Sequence, residues 1–500
     1  MQAVYQNPSQ VEKLVKEKYA VPEYLMMENA ARAMADFILN LPEIHKLVIV
    51  CGKGNNGGDG YAVARLLQNK REVSVISLED PVTEEARVQH EMCRRLNIPV
   101  NSVILGLDPG IFSKADLILD CIYGTGFHGS LSEPAAAIID LMNKSPAVKI
   151  ACDIPSGLAF HADYTITMGS QKLALYSDKA KAVCGQIIKA ELGIDSRKFE
   201  LTENTMDTVV EPVETTAELA ASIQPVAYLV EPTDLILPLR KNRAAHKGCY
   251  GHTAVFCGEK SGAAIIAATA AMNFGSGLTS LIKSTEQSDL AQFKISPSLM
   301  LSDSIPKKTT CIAAGSGFTK FSASLAEQVK QWFSTQKNPA AVFDAGMLTA
   351  SEFPEFLKEL NSYSEARIIL TPHLAEFASL MKNLGEEVTV SSLAEDPELK
   401  IRLGKILNER FPRTSIIIKS ANTFIASGMK SYIITDGPQS LAKGGSGDLL
   451  AGLTAALLAQ GYTARDAAIT AAEQHALIAS QLGPESYALT PEKFIERIGS

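Results

Sequence analysis

Two glycine-rich segments of the chain carry acidic residues where a predicted strand or loop meets a predicted helix. Residues 52–60 read Gly-Lys-Gly-Asn-Asn-Gly-Gly-Asp-Gly and follow an apolar run. Residues 443–448 read Lys-Gly-Gly-Ser-Gly-Asp and precede a long apolar stretch. Backbone N–H groups at a helix N-terminus bind phosphate oxygens, and glycine lets a ligand approach them closely. Both segments therefore indicate a phosphate-bearing ligand.

The first segment has more than one interpretation. Its glycines satisfy G-x-G-x-x-G, and Glu79 follows the next predicted strand, as in a dinucleotide-binding fingerprint. Alone, this pattern would suggest an NAD-dependent oxidoreductase, or a tight turn without a ligand. Asn55, Asn56 and Asp59, however, place oxygen atoms where a plain fingerprint carries small residues. Such oxygens suit a hard cation or the polar groups of a substrate.

Two further loops after predicted strands carry an acidic residue and glycines. Residues 120–130 read Asp-Cys-Ile-Tyr-Gly-Thr-Gly-Phe-His-Gly-Ser, and residues 153–157 read Asp-Ile-Pro-Ser-Gly. In an open α/β sheet, loops beyond the carboxyl ends of the strands converge on one crevice. The sequence therefore predicts that these two loops and residues 52–60 form one site.

The second glycine-rich segment ends at Asp448, which could take a proton from a hydroxyl group that is being phosphorylated. A helix cap is the alternative role for this aspartate. His373 follows another predicted strand, and Thr371 and Pro372 predict a helix cap and first turn there. Lys419 ends a strand where it could face a nucleotide or solvent.

The elements that must position these residues alternate between short apolar runs and helical stretches in both halves of the chain. Such alternation predicts parallel sheets built from βαβ units. Strand candidates are residues 47–51, 73–77, 117–121, 148–152, 252–257, 340–343, 367–370, 415–419, 423–426 and 431–434, the last two as a hairpin. Helix candidates are residues 25–34, 61–67, 262–274, 323–333, 374–381, 447–460 and 464–482.

The composition limits the class of protein. The chain has 500 residues, 46% of them hydrophobic, which suits two or more domains and argues against wholesale disorder. A net charge of −8 lacks the basic footprint of a general nucleic-acid binder. The polar N-terminus and the lack of a long apolar run predict neither a signal peptide nor a membrane partner. We expect a cytoplasmic enzyme with small-molecule partners, whose cysteines 51, 121, 152 and 257 are buried.

The motifs of the first half resemble the NAD(P)HX epimerase domain of the YjeF N-terminal type. They are LMMENAA, CGKGNNGGDGYAVARLL, DCIYGTGFHGS and CDIPSGL, and the resemblance covers about residues 22–195. It implies a Rossmann-like, three-layer αβα domain that binds hydrated NADH or NADPH, with Asp153 in the acid-base role and Asn56, Asp120 and Ser156 as potassium ligands. The implied substrate-binding residues are Asn55, Asn56, Gly57, Gly58, Asp59, Gly124, Thr125, Gly126, Phe127, His128, Gly129, Ser130 and Asp153.

The motifs of the second half resemble the ribokinase-like NAD(P)HX dehydratase domain of the YjeF C-terminal type. They include TPHLAE, KSANT and KGGSGDLLAGLTAALLAQG, with coverage from about residue 239 to the end. The resemblance implies dehydration of S-NAD(P)HX driven by ADP with magnesium, through phosphorylation of the C6 hydroxyl group, with Asp448 as the catalytic base. Implied substrate-binding residues are Ala263, Gly317, His373 and Asp448, and implied nucleotide-binding residues are Lys419, Ser420, Ala421, Asn422, Thr423 and Gly447.

Some positions depart from the dehydratase pattern. Leu374 and Ala375 stand where the family usually has Pro-Gly, and Gly346 replaces the second aspartate of a D-A-D motif. These changes bear on the substrate pocket more than on phosphoryl transfer.

The sequence as a whole therefore predicts a bifunctional repair enzyme that forms a homo-oligomer. Residues 1–205 would be the epimerase domain, residues 206–237 an acidic connection and residues 238–500 the dehydratase domain. The alternative is a kinase of a small, vitamin-like alcohol with a non-catalytic dinucleotide-binding N-terminal domain.

Overall fold

The computed structural model describes residues 1–102, 108–195, 224–283, 290–483 and 485–499. The chain divides into two units, residues 2–226 and residues 227–500, with Met1 grouped in the second. Most of the predicted acidic connection, residues 206–223, lies outside the described residues. The predicted domain bounds therefore stay a prediction.

The N-terminal unit is an open α/β sheet with helices along it. Its strands are β1 (Gln2–Tyr5), β2 (Lys46–Cys51), β3 (Glu72–Ser77), β4 (Val100–Ser102), β5 (Leu117–Cys121), β6 (Val148–Cys152), β7 (Tyr164–Met168), β8 (Gln171–Lys172) and β9 (Gln186–Ala190). Its helices are α1 (Pro8–Tyr19), α2 (Glu23–Asn40), α3 (Asn55–Leu67), α4 (Glu84–Arg95), α5 (Gly110–Ser113), α6 (Glu133–Lys144) and α7 (Asp178–Lys181).

Parallel strands in the order β4-β3-β2-β5-β6-β7-β9 form the main sheet of this unit. In β2, Leu47, Ile49 and Cys51 pack in one apolar cluster with α3, while Val48 and Val50 pack in another with α6. Helices therefore cover both faces, as the three-layer prediction requires. The chain runs outward from β2 to β4 and then returns to β5, so the strand order reverses between β2 and β5. Ligands of open α/β sheets bind at such a reversal.

The C-terminal unit is a larger sheet of the same class. Its strands are β10 (Ala227–Leu229), β11 (His252–Cys257), β12 (Leu278–Lys283), β13 (Met300–Ser302), β14 (Cys311–Ala314), β15 (Ala340–Phe343), β16 (Arg367–Leu370), β17 (Thr414–Ile418), β18 (Thr423–Ser427) and β19 (Lys430–Ile434). Its helices are α8 (Ser261–Asn273), α9 (Ala323–Thr335), α10 (Phe353–Asn361), α11 (Leu374–Asn383), α12 (Val390–Glu395), α13 (Pro397–Arg410), α14 (Ser446–Ala459), α15 (Ala464–Gln481) and α16 (Pro491–Glu496).

Strands β13-β12-β11-β14-β15-β16-β17 run parallel in that order. The antiparallel β18 and β19 follow, which confirms the predicted hairpin, and β10 pairs parallel to β19. Helices α8, α14 and α15 bury their alanine- and leucine-rich faces in the main apolar cluster. The strand order reverses between β11 and β14.

Cysteines 51, 121, 152 and 257 are buried, as predicted. Among the described residues, no helix is long and apolar enough to cross a membrane.

One buried acid in α15 gives a testable effect on stability. Glu473 is fully buried, and burial, followed by the nearby Asp436, raises its pKa to about 9. Because the folded state holds this proton to a higher pH than the unfolded chain, stability is lost as the pH rises from about 4.5 to about 9. We expect Glu473→Gln to raise the melting temperature by several degrees at pH 8 and by much less at pH 5. The reason is that the raised pKa of Glu473 lowers the free energy of unfolding by at most about 3 kcal/mol near neutral pH. Equal shifts at both pH values would contradict this.

Candidate active sites

The first candidate site lies at the carboxyl ends of β2, β5 and β6, beside the reversal in strand order. The three loops that follow these strands meet there, as their spacing predicted. The Cβ position that Gly124 lacks lies 3.2 Å from Asn56 Oδ1 and 3.1 Å from Asp153 Oδ2. A side chain at Gly124 would therefore fill the space between the amide and the carboxylate.

The loop between β2 and α3 is shorter than the sequence suggested. The pattern predicts a glycine-rich turn up to residue 60, whereas α3 begins at Asn55. The prediction was wrong because glycine here serves close packing: an added Cβ at Gly57 would lie 1.9 Å from the carbonyl oxygen of Gly52. Asn55, Asn56 and Asp59 therefore project from the first turns of a helix, which fixes their directions.

Asp153 is held by an ion pair and an uncommon backbone conformation. Its φ is +70°, in the left-handed region that costs a non-glycine residue about 1 kcal/mol or more. Its Oδ1 accepts a hydrogen bond from Lys172 Nζ, and its Oδ2 accepts one from the Thr125 N–H at 3.0 Å and another from the Thr125 hydroxyl. Burial alone would raise the pKa of Asp153, but the Lys172 charge and these hydrogen bonds together hold that pKa below its usual value. Asp153 is therefore ionised at neutral pH and able to accept a proton.

Lys172 is a site residue that the sequence analysis missed. Its side chain is almost fully buried, and Nζ also donates to Thr167 Oγ1 and to the Met168 carbonyl, both at 3.1 Å. A buried ammonium group needs such partners. The available signal was a lone lysine within the otherwise uncharged stretch of residues 164–177.

Two further carboxyl groups lie near Asp153 and differ from it in ionisation. Burial, followed by the negative charge of Asp153, raises the pKa of Asp59 well above its usual value. Burial likewise raises the pKa of Glu12, which the sequence analysis also missed. Both groups line a cavity of about 100 Å³ together with Asn55 and Met168. Two carboxyl groups with raised pKa values therefore line one small space, and Asp153, whose pKa is lowered, interacts electrostatically with both.

Asp120 and Ser156 form a buried oxygen cluster near the carboxyl ends of β5 and β6. Asp120 Oδ1 accepts from the Ser156 hydroxyl at 2.7 Å and Oδ2 accepts from the Ser156 N–H at 2.8 Å. Burial raises the pKa of Asp120 to about 6, although its hydrogen bonds with Ser156 oppose this shift. No lysine or arginine among the described residues forms an ion pair with Asp120. The Asn56 amide nitrogen is buried without a partner in the same part of the chain.

The predicted substrate loop, residues 124–130, forms a largely exposed rim. The rings of Tyr123 and Phe127 stack with centroids 4.3 Å apart, and the Phe127 N–H donates to the Gly124 carbonyl at 3.1 Å. His128, Gly129 and Ser130 are exposed. The stacked pair offers an aromatic face to a flat ring at the site entrance.

The acidic residue of the dinucleotide fingerprint, Glu79, is paired with a lysine of the same chain. Glu79 forms an ion pair with Lys53 Nζ at 2.9 Å. This ion pair links the residues that follow β2 and β3.

The second candidate site lies at the carboxyl ends of β14, β15, β16 and β17, next to the N-terminus of α14. Lys419 Nζ donates to Asp344 Oδ1 at 3.0 Å. The Cβ position that Gly447 lacks lies 3.1 Å from Lys419 Nζ. Residues from three separate segments therefore meet beside the first turn of α14.

Asp448 has the ionisation expected of a general base. Burial, followed by the charge of Asp344, raises its pKa to about 6, while the Ser316 hydroxyl and the Lys419 charge act in the opposite direction. A carboxylate with this pKa is largely ionised at pH 7 and is a stronger base than an exposed aspartate. Asp344 and Ser316 were not among the predicted site residues.

The structure argues against a capping role for Asp448. The residue before α14 is Gly445, with φ +90°, and no side chain caps the helix. The Ser446 N–H already donates to the Lys443 carbonyl at 3.3 Å, so the Gly447 and Asp448 N–H groups are the ones that α14 offers to an anion. Ser446 Oγ lies 3.3 Å from Nε2 of His475, whose pKa is lowered to about 4 by burial and by the Lys419 charge. This neutral histidine is a further neighbour that the sequence analysis missed.

The helix after β16 begins at Leu374, as predicted, but its cap is not the predicted one. His373, and not Thr371, is the N-cap of α11: its Nδ1 accepts from the Ala375 and Glu376 N–H groups at 3.1 and 3.3 Å. The prediction was wrong because the Pro372 carbonyl accepts a hydrogen bond from the Lys419 N–H at 2.8 Å, which keeps the preceding residues extended. The His373 side chain is about half exposed.

The predicted nucleotide segment, residues 419–423, is a tightly bonded turn between β17 and β18. Ser420 Oγ donates to the Asn422 carbonyl at 2.6 Å and accepts from Lys400 Nζ at 3.0 Å. Lys400 is fully buried, and Ala421 at the tip of the turn is exposed. The turn is therefore held from inside and presents its tip to solvent.

The remaining predicted substrate residues are close neighbours. Gly317 has φ +79°, and an added Cβ there would lie 3.4 Å from Ala263 Cβ and 2.2 Å from the Lys260 carbonyl oxygen. Gly346 is equally confined, because its added Cβ would lie 2.3 Å from the Phe318 carbonyl oxygen. An aspartate at position 346 would require the backbone to shift.

Fold and sites define an enzyme with two α/β units, each with carboxyl groups at the carboxyl edge of its sheet. The family model described as YjeF-related protein N-terminus matches residues 23–174, and that of NAD(P)H-hydrate dehydratase matches residues 253–499. The bifunctional NAD(P)H-hydrate repair enzyme Nnr of Helicobacter pylori is 32% identical over 100% of this chain and 99% of its own. The chain belongs to the family of bifunctional NAD(P)H-hydrate repair enzymes, which confirms the predicted resemblance.

Other similar proteins cover one or both halves of the chain. The repair enzyme of the same name from Escherichia coli is 28% identical over 88% of this chain and 81% of its own. The crystal structure of the ADP/ATP-dependent NAD(P)H-hydrate dehydratase from Bacillus subtilis, co-crystallised with ATP and Mg²⁺, matches with a TM-score of 0.42 and 23% identity over 52% of this chain and 92% of that chain.

Proposed function

We propose that the N-terminal unit interconverts the R and S epimers of NAD(P)HX and that the C-terminal unit dehydrates the S epimer to NAD(P)H with ADP. The observation that carries this proposal is a carboxylate base in each crevice: Asp153 paired with Lys172, and Asp448 beside the uncapped start of α14.

In the epimerase site, Asp153 accepts the proton of the C6 hydroxyl group. C6 is also bonded to the ring nitrogen. The bond between C6 and the ring nitrogen can therefore break and form again on the other face of C6. Lys172 keeps Asp153 ionised, and protonated Asp59 supplies a nearby acid. The Asn55 and Asn56 amides and the stacked Tyr123 ring hold the nicotinamide ring in place.

In the dehydratase site, Asp448 removes the proton of the C6 hydroxyl group as this oxygen attacks the terminal phosphorus of ADP. The N–H groups of residues 447 and 448 and the Lys419 ammonium group bind the transferred phosphoryl group. AMP leaves as the phosphoryl group is transferred, and elimination of phosphate from C6 with loss of a proton from C5 then restores the dihydronicotinamide ring. A magnesium ion bound with the nucleotide would face the carboxylates of Asp344 and Asp448 and would neutralise phosphate charge.

The oxygen cluster of the first site fits a potassium ion. Asp120 is a buried carboxylate without a cationic partner among the described residues, and Ser156 and Asn56 add neutral oxygens. No group of three or more His, Cys, Asp or Glu residues in the described parts of the chain could hold a metal ion, so amide and hydroxyl ligands are required. An alkali ion there would neutralise Asp120 and fix the loop that carries Asp153.

Potassium should therefore stabilise the protein specifically. We expect a higher melting temperature in potassium chloride than in tetramethylammonium chloride at equal ionic strength, because only the smaller ion fits the cluster. Asp120→Asn should remove this difference. Equal melting temperatures of the parent protein in the two salts would contradict the assignment.

The complete function is tested by incubating the full chain with mixed R and S epimers of NADHX and ADP. We expect all of the substrate to return as NADH, because epimerisation continually supplies the S form. Recovery of only the S fraction would show that the N-terminal unit does not epimerise. A stable phosphorylated product with a vitamin-like alcohol would instead support the kinase alternative.

A further inference from the structure

The loop before α14 is rich in glycine and borders the second candidate site. We call residues 443–446 the α14 loop. Its first two residues are exposed, and Gly445 has φ +90°. Glycine leaves the backbone more conformational freedom than any other residue, and this freedom is lost when the loop adopts one conformation. The Gly447 and Asp448 N–H groups follow directly, so their directions depend on what holds the loop.

A buried histidine of α15 contacts the loop from inside the protein. His475 is 7% exposed, and its Nε2 lies 3.3 Å from Ser446 Oγ, within hydrogen-bonding distance. The ring is neutral at neutral pH because burial and the Lys419 charge lower its pKa to about 4. A neutral ring can accept the proton of the Ser446 hydroxyl group or donate its own proton to it. In both cases, His475 fixes the first residue of α14.

Helix α16 packs against both the histidine and the loop. The fully buried ring of Phe494 has its centroid 5.2 Å from that of His475. At the start of the same helix, Pro491 fills the space beside Gly445, where an added Cβ would lie 2.5 Å from Pro491 Cγ. Two helices that carry none of the proposed catalytic groups therefore restrain two consecutive residues of the α14 loop.

We infer that His475 is a positioning residue for phosphoryl transfer. Supported by α16, it holds Ser446 in the orientation from which the Gly447 and Asp448 N–H groups point towards the terminal phosphoryl group of ADP. Hydrogen-bond donors stabilise a transition state most when they are fixed in advance and need no reorganisation. His475 acts through the loop, so its removal should weaken the contacts with that phosphoryl group and leave the rest of the nucleotide site unchanged.

This inference rests on the proposed function, because it takes these N–H groups as the ones that bind the transferred phosphoryl group. The two can fail separately. A parent protein that does not dehydrate S-NADHX would contradict the proposed function. The inference is tested by binding alone, because AMP lacks the phosphoryl group that ADP would transfer.

The test measures the affinities of the full chain for ADP and for AMP, each with Mg²⁺, by isothermal titration calorimetry. We expect the parent protein to bind ADP more tightly than AMP. His475→Leu should weaken ADP binding about 10-fold and AMP binding by less than about 2-fold, because only hydrogen bonds to the terminal phosphoryl group are impaired. With S-NADHX, the kcat of dehydration should fall about 100-fold, as when a catalytic group is displaced by about 1 Å, while KM for S-NADHX stays within about 2-fold.

His252→Leu is the matched control. His252 is also a buried histidine bonded to a serine, with Nε2 2.8 Å from Ser280 Oγ. It lies at the amino end of β11, and hence at the opposite edge of the sheet from the site. We expect a comparable fall in melting temperature without a change in the ratio of the ADP and AMP affinities. His475→Gln keeps a group that can bond to Ser446 and should recover most of this ratio.

Ser446→Ala removes the other partner of the hydrogen bond from a less buried position, so it tests the inference even where His475→Leu does not fold. It should lower the ratio about as much, and the variant with both substitutions should be no worse than either one, because one contact can be lost only once. A parent protein without a preference for ADP, a ratio unchanged in His475→Leu or Ser446→Ala, an equal loss in His252→Leu, or additive losses in the double variant would each overturn the inference.

Discussion

Asp448→Asn is expected to reduce dehydration of S-NAD(P)HX by about 10²–10⁴-fold or more, while ADP still binds. Asparagine keeps the size of the side chain but cannot take up the hydroxyl proton. The N–H groups of α14 that would hold phosphate belong to the backbone and are unchanged. Turnover in the presence of S-NADHX and ADP affinity, measured on the one variant, check these two expectations, and its melting temperature shows whether the fold is kept.

The matched control is Asp466→Asn, because Asp466 occupies the third position of α15 as Asp448 does in α14. If Asp448 acted only through its place in the first helical turn, both variants would show similar small losses. In the parent protein, dehydration should also fall as the pH drops below about 6, the pKa of Asp448, since the base must be ionised. Turnover of the Asp448 variant within a few-fold of the parent would contradict the catalytic role.

The central strands could be predicted from the sequence because both faces of a parallel sheet are buried. His252–Cys257 and Arg367–Leu370 each contain a short apolar run, and the predicted and observed bounds agree. Cys311–Ala314 was missed because four residues, two of them alanine, carry little strand signal. Leu278–Lys283 was missed because threonine, serine and lysine interrupt its apolar residues.

The site residues could be predicted from the sequence where a residue with a reactive side chain lies in a recognisable turn. Acidic residues next to glycines after a strand, as at Asp120 and Asp153, are visible in the sequence. Lys172 in β8 and Glu12 in α1 were missed because they lie outside these loops and carry no motif. The early start of α3 was missed because glycines that allow close packing in a helix have the same sequence pattern as glycines in a turn. Gly60 is one of them, since an added Cβ would lie 2.7 Å from Cys51 Sγ.

The epimerase assignment predicts that substitution of Asp153 stops epimerisation. The test must take into account that Asp153 forms an ion pair with Lys172. Asp153→Asn suits the left-handed backbone better than alanine would, but it leaves the buried Lys172 ammonium group without its carboxylate, a cost of about 3–5 kcal/mol. Lys172→Met alone should stay folded if Asp153 takes up a proton, and its epimerisation should shift to higher pH because the pKa of Asp153 rises without the lysine charge.

The double variant Asp153→Asn, Lys172→Met removes both charges and is the cleaner test of catalysis. We expect its melting temperature to stay close to that of the parent and its R-to-S exchange, followed by NMR, to stop. The dehydratase site is untouched, so a mixture of epimers with ADP should return only its S fraction as NADH. Matched asparagine and methionine substitutions at Asp163 and Lys149, which lie near the opposite ends of β6 and β7, should leave exchange unchanged. If the double variant at the site converts both epimers as completely as the parent, Asp153 is not the acid-base residue.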